Sequence, residues 1–147
     1  MTQIKSSEVI NTPALRDAVP YPGRPWSEAV IYELHVGTFS DEGTYAGVEN
    51  RLDYLRDLGI TAIQLMPIND VPGRHNWGYD GVLLYAPNAC YGRPEDLKRL
   101  LRAAHQRDMK VYLDVVYNHC SIICTAMPRL FLPIDTRPAG VSIGVQI

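Results

Sequence analysis

The apolar positions change period along the chain, and each change marks an element. Ala29-Val30-Ile31-Tyr32-Glu33-Leu34-His35-Val36 is a run of β-branched and aromatic residues ending at Gly37. It predicts a strand over Val30–Val36. From Thr44 the spacing shifts to threes and fours: Tyr45, Val48, Leu52, Leu55 and Leu58 form one apolar stripe, with Arg51, Asp53, Arg56 and Asp57 on the other face. That pattern predicts a helix. Gly59 follows the last periodic residue, where a helix C-cap takes a left-handed backbone. Ile60–Met66 is a second strand, apolar at nearly every position, as a strand covered on both faces would be. Pro67 ends it. Pro94 suits the first turn of a second helix, Glu95 and Asp96 complement its positive end, and Leu97, Leu100, Leu101 and Ala104 make its stripe. Lys110–Val116 is the third strand.

Strands alternating with amphipathic helices predict an α/β fold, with parallel strands adjacent in chain order and joined by right-handed crossover helices. The expected organisation is an irregular, proline-rich lead-in over residues 1–28, a partial α/β domain over 29–119, and a tail over 120–147. That tail has no clear period and is broken by Pro128, Pro133 and Pro138. A long connection runs from Ile68 to Arg93. Connections of this length inside a domain are functional or disordered, and Trp77, Tyr79, Tyr85 and Tyr91 make its composition poor for disorder.

Composition narrows the class. Apolar residues make up 46% and charged residues 20% of the 147, and the net charge is −2. These are the proportions of a soluble globular protein, and no basic run points to nucleic acid. Apolar stretches such as Gly59–Ile68 are far shorter than the roughly 20 residues of a membrane span. The first residues lack the apolar core of a secretory signal, so the expected location is cytoplasmic. The three cysteines, Cys90, Cys120 and Cys124, are expected to be free thiols. No second ligand pair accompanies Cys120 and Cys124, so no metal or other cofactor is expected.

Chemistry in parallel α/β folds collects at the C-terminal ends of the strands. Three groups fall there: His35 with the Gly37-Thr38-Phe39 turn, the Asn76-Trp77-Gly78-Tyr79-Asp80-Gly81 loop, and Asp114 with Asn118 and His119. Each also has a plain structural reading. His35 suits a hydrogen-bonded core histidine, Trp77 and Tyr79 suit loop packing, and Asp114 suits a carboxylate held by an arginine. Aromatic faces beside Asp, Asn and His also suit a sugar, whose ring offers C–H faces to aromatics and hydroxyls to polar groups.

Asp114-Val115-Val116-Tyr117-Asn118-His119 resembles the first signature region of the α-amylase superfamily, at the end of the third barrel strand. Ile31–Phe39, Gly59–Pro67, Trp77–Val82 and Tyr91–Lys98 extend the likeness over about Arg24 to His119. Within the superfamily they resemble the malto-oligosyltrehalose trehalohydrolases, with glycogen branching enzymes as the competing relatives. The resemblance implies the N-terminal part of a (β/α)8 TIM barrel, incomplete at three strands, since a closed barrel needs roughly 250 residues. It implies an α-glucan or malto-oligosyltrehalose partner and release of trehalose. Tyr79 would stack on the sugar beside the scissile bond and His119 would bond its hydroxyls. Asp114 would orient an arginine, with Asn118, His35, Trp77 and Asp80 in support. No calcium or other metal is implied. The family's nucleophile, general acid and third carboxylate end the fourth, fifth and seventh strands, and nothing after His119 resembles those regions. A truncated or frameshifted reading frame is therefore expected, with no catalytic residue in this chain and no glycosidase activity of its own. The third strand is expected to keep an open edge. A branching-enzyme fragment and a non-catalytic carbohydrate-binding remnant are the alternatives.

Overall fold

The computed structural model describes residues 21–71, 73, 75–79, 81, 83–116 and 145–146. After a single 3-10 turn at Trp26–Glu28, the elements are β1 (Ile31–Leu34), α1 (Val36–Phe39), α2 (Tyr45–Glu49), α3 (Leu52–Asp57), β2 (Ala62–Leu65), β3 (Asn69–Asp70), β4 (Leu83–Pro87), α4 (Pro94–Gln106), β5 (Lys110–Leu113) and β6 (Val145–Gln146). β1, β2 and β5 are parallel and adjacent in that order, with Tyr32 level with Ile63 and Ile63 level with Val111. This is the predicted arrangement.

Both crossovers lie on one face of the sheet. Leu34, Ile63, Leu65 and Val111 share a buried cluster with Tyr45 and Val48 of α2, Leu52 and Leu55 of α3, and Leu100 and Ala104 of α4. Each large apolar side chain buried this way contributes about 1.5–3 kcal/mol. Arg99 Nε meets Glu49 Oε2 at 2.8 Å, and Arg107 grips Asp53 through Nε at 3.0 Å and Nη2 at 2.8 Å, so α4 is tied to α2 and α3 across the solvent side. Helices confined to one face, over strands in sequential order, are the arrangement of a closing barrel, not of a doubly wound sheet.

Three details depart from the periodic reading. The stripe from Tyr45 to Leu58 is carried by two short helices. The Thr44 hydroxyl caps the first by accepting the Gly47 N–H at 3.2 Å, and the chain turns at Arg51 (φ −102°, ψ 0°) before the second. Tyr45, Val48, Leu52 and Leu55 are buried as the stripe requires, whereas Leu58 is exposed. Gly59 does take the left-handed backbone (φ 88°), and the Ile60 N–H reaches back to the Leu55 carbonyl. The first strand ends at Leu34, two residues early, because the His35 carbonyl accepts the N–H groups of Thr38 and Phe39 and starts a helical turn. The connection after β2 holds an irregular antiparallel pair, β3 with β4, whose register shifts between Asn69 and Asp70.

The edge of the third strand is not bare. β6 pairs antiparallel with β5, Gln146 opposite Tyr112 and Val145 opposite Leu113. Two residues of the aperiodic tail thus satisfy backbone groups on an edge that an isolated parallel strand would leave open.

Candidate functional site

The parallel ladder runs one residue past each strand. The Met66 N–H donates to the Leu34 carbonyl and the Asp114 N–H to the Leu65 carbonyl, both at 2.9 Å. His35, Met66 and Asp114 are therefore brought to one rim. Alternation along a strand puts Asp114 on the same face as Tyr112, opposite the helix layer.

The loop after β2 folds back over this rim. The Asn76 side-chain oxygen accepts the Gly78 N–H at 2.7 Å, a local turn typical of asparagine. Gly78 has φ 86°, and a Cβ there would overlap the Pro67 carbonyl oxygen, so only glycine fits. This reversal carries the Tyr79 hydroxyl to Asp114, where it donates to Oδ2 at 2.9 Å. That hydrogen bond, then partial burial, then the charges of Asp114 and Glu33 raise the Tyr79 pKa above its ordinary value. Trp77 stands beside it, 71% exposed, with its ring edge-on to His35 at 6.4 Å.

Beneath the rim the sheet's inner face is polar. Glu33, Gln64 and Tyr112 are level across the three strands, and the Gln64 amide donates to Glu33 Oε1 at 3.0 Å. Sequence reading passed over Glu33 and Gln64, although each is a polar residue inside an otherwise apolar strand. A separate trough of about 450 Å³ runs along the outer edge of β1, lined by Tyr32, Glu33, His35, Phe39, Arg51 and Tyr54. It is not the space above Tyr79 and Asp114.

His35 is half-buried, with Nδ1 3.3 Å from the Thr38 hydroxyl and Nε2 3.1 Å from the Tyr91 hydroxyl. Of the predicted site residues, the structure thus gathers Tyr79, Asp114, Trp77 and His35 at one rim. Asp80, Asn118 and His119 lie outside the described residues, as do Cys120 and Cys124. Among the described residues, no group of three or more His, Cys, Asp or Glu side chains is placed to hold a metal ion, and no helix is long and apolar enough to cross a membrane.

Residues 16–129 match the model of the alpha-amylase catalytic domain. The chain belongs to the alpha-amylase family. The match runs past His119, the last residue of the signature seen in the sequence. Among curated relatives of this alpha-amylase family chain, a malto-oligosyltrehalose trehalohydrolase from Deinococcus radiodurans is 56% identical over 93 residues, covering 63% of the chain and 16% of the relative. One from Mycobacterium tuberculosis is 42% identical over 134 residues, 90% of the chain and 23% of the relative. The chain therefore spans less than a quarter of either relative's length. Among solved structures, an alpha-amylase from Geobacillus thermoleovorans complexed with acarbose superposes with a TM-score of 0.59 at 33% identity, covering 75% of this chain and 28% of that one. A trehalose-6-phosphate hydrolase from Bacillus licheniformis superposes with a TM-score of 0.57 at 35% identity, covering 65% and 18%. The three parallel strands are a fragment of the (β/α)8 barrel of this family.

Proposed function

We propose that this chain supplies the sugar-holding rim of an α-glucan hydrolase that releases trehalose from malto-oligosyltrehalose. The observation that carries the reading is the bond from the Tyr79 hydroxyl to Asp114 Oδ2. It fixes an exposed aromatic ring at the strand ends, beside the still more exposed Trp77. In this role the Tyr79 ring stacks on the C–H face of a glucose unit. Asp114 orients an arginine of the whole enzyme, and His119 bonds hydroxyls of the same sugar. The identity to malto-oligosyltrehalose trehalohydrolases supports that substrate over a plain starch chain. Cytoplasmic location suits the free thiol of Cys90.

The reading assigns no bond-breaking residue to these strands. A retaining glycosidase needs a nucleophile and an acid about 5–5.5 Å apart. Here Asp114 accepts from Tyr79 and Glu33 accepts from Gln64, so both carboxylates are engaged in holding neighbours. The chain by itself binds the sugar and does not hydrolyse it. Titration with maltotriosyltrehalose, followed by tryptophan fluorescence, is expected to show binding that Tyr79→Ala removes. Chromatography of the same mixture is expected to show no trehalose above a no-protein control. Absent binding, or clear release of trehalose, overturns this reading.

A further inference from the structure

We infer that Tyr91 is a positioning residue for this rim: its buried hydroxyl, bonded to His35, holds the loop that presents Trp77 and Tyr79. Tyr91 is 3% exposed, and its hydroxyl lies 3.1 Å from His35 Nε2, across 56 positions of sequence. The other imidazole nitrogen lies 3.3 Å from the Thr38 hydroxyl. A neutral imidazole has one N–H and one lone pair, and hydroxyls on both sides satisfy either tautomer. With both nitrogens occupied, the ring has one orientation. Trp77 packs edge-on against that ring, so the orientation of His35 sets the wall on which the Trp77 loop rests.

Tyr91 is itself pinned from several directions. Its N–H donates to the Asn88 carbonyl at 3.1 Å, and its carbonyl accepts the Tyr45 N–H at 2.8 Å at the start of α2. Asn88 is fully buried and donates its own N–H to the Ile68 carbonyl at 2.7 Å, where the loop begins. The rings of His35 and Tyr45 both meet Tyr91 nearly at right angles. Gly37 leaves the space for this: a Cβ there would stand 3.0 Å from His35 Cε1 and 3.1 Å from Tyr91 Cε1.

The hydroxyl, as distinct from the ring, marks the role. A phenylalanine would fill the same volume without an oxygen to desolvate. Tyr45 packs beside it in the same core, and its hydroxyl has no hydrogen-bond partner among the described residues. Tyr45 is a spacer. The Tyr91 hydroxyl instead joins the end of β1 to the segment leading into α4. Burial raises its pKa, so it stays protonated at any ordinary pH and keeps both donor and acceptor capacity.

The test uses the whole chain with Tyr91→Phe, and His35→Gln as the second variant. Three quantities are read: the Trp77 indole resonance, hydrogen exchange of the Gly78 amide, and affinity for maltotriosyltrehalose. Only the affinity rests on the proposed function. Tyr91→Phe is expected to shift the indole resonance, speed Gly78 exchange about fivefold and weaken the sugar about fivefold, the equivalent of one net hydrogen bond. A variant that melts earlier but keeps the wild-type indole resonance and Gly78 exchange makes Tyr91 a core residue only, and overturns the inference. Should the wild-type chain bind no maltotriosyltrehalose, the proposed function fails, and the indole and amide readings still decide the role of Tyr91. Should Tyr91→Phe fail to fold, His35→Gln carries the same loop readings, and an undisturbed loop there overturns the inference equally.

Discussion

The two faces of the parallel sheet obey different rules. On the helix face, Leu34, Ile63, Leu65 and Val111 are buried in a continuous apolar cluster. On the other face, Ile31 and Glu33 are exposed, Gln64 and Tyr112 are half-buried, and the contacts are polar or edge-on: Gln64 to Glu33, and Trp26 against Tyr112. The helix face holds the elements together by area. The inner face, with the rim above it, orients its side chains by hydrogen bonds instead, and leaves Glu33, Trp77 and Tyr79 exposed. Neighbouring residues of a single strand thus serve apolar packing and polar pairing in turn, because successive side chains point to opposite faces.

The sharpest way to break that comparison is to truncate adjacent residues of β2. Ile63→Ala is expected to cost about 2–5 kcal/mol through lost burial and the cavity left behind. Gln64→Ala is expected to stay within about 0.5 kcal/mol. Urea unfolding of the two variants measures both, and equal costs would show that the faces are not specialised. At the rim, Gly78→Ala combines a positive φ with overlap on the Pro67 carbonyl. It is expected to cost about 1–3 kcal/mol by thermal or urea unfolding and to detach Tyr79 from Asp114, read as a Tyr79 titration returning toward its ordinary value.

A smaller effect belongs to His105, half-buried near the end of α4. Its ring stacks on Tyr21 at 4.4 Å, and burial lowers its pKa below 6.5. The unfolded chain therefore binds the proton more readily than the folded one. The contribution is complete above about pH 6.5 and is lost as pH falls through the depressed folded value. The thermal midpoint is expected to drop on acidification from pH 7 to pH 5, and His105→Phe to flatten that slope; an unchanged slope refutes the assignment. The smallest stability change is expected for Trp77→Ala, within about 0.5 kcal/mol for so exposed a side chain. The same variant should weaken maltotriosyltrehalose about fivefold by isothermal titration, if its ring is a sugar contact. Loss of stability without loss of affinity would move Trp77 from the rim to the core.

Periodicity made the strands and helices legible, since each buries one face against the same core. The Tyr45–Leu58 stripe predicted the burial of Tyr45, Val48, Leu52 and Leu55 but not the exposure of Leu58, and it carried no sign of the turn at Arg51. Two short helices and one long one present nearly the same stripe. The β3–β4 pair was not legible: a two-residue strand with a shifted register has no period to read. Asp114 was identifiable as a strand-end carboxylate and Tyr79 as an aromatic of the loop. Their hydrogen bond, spanning 35 positions, was not. Glu33 and Gln64 were passed over inside their apolar strands, and only the parallel register sets them level.

The sequence by itself determined the local and repetitive features: strand order, helix faces, the glycine at the α3 terminus and the likeness of the Asp114–His119 segment to a known signature. These depend on the spacing of residues near one another in the chain, and spacing is written directly in the sequence. The tertiary structure alone decided the pairings across distance. It put the Tyr79 hydroxyl on Asp114, joined the Tyr91 hydroxyl to His35, and set β6 antiparallel on the edge of β5. Such contacts follow from how the loop after β2 packs over the strand ends. That packing is fixed by the fit of many side chains at once, so no single residue or interval announces it.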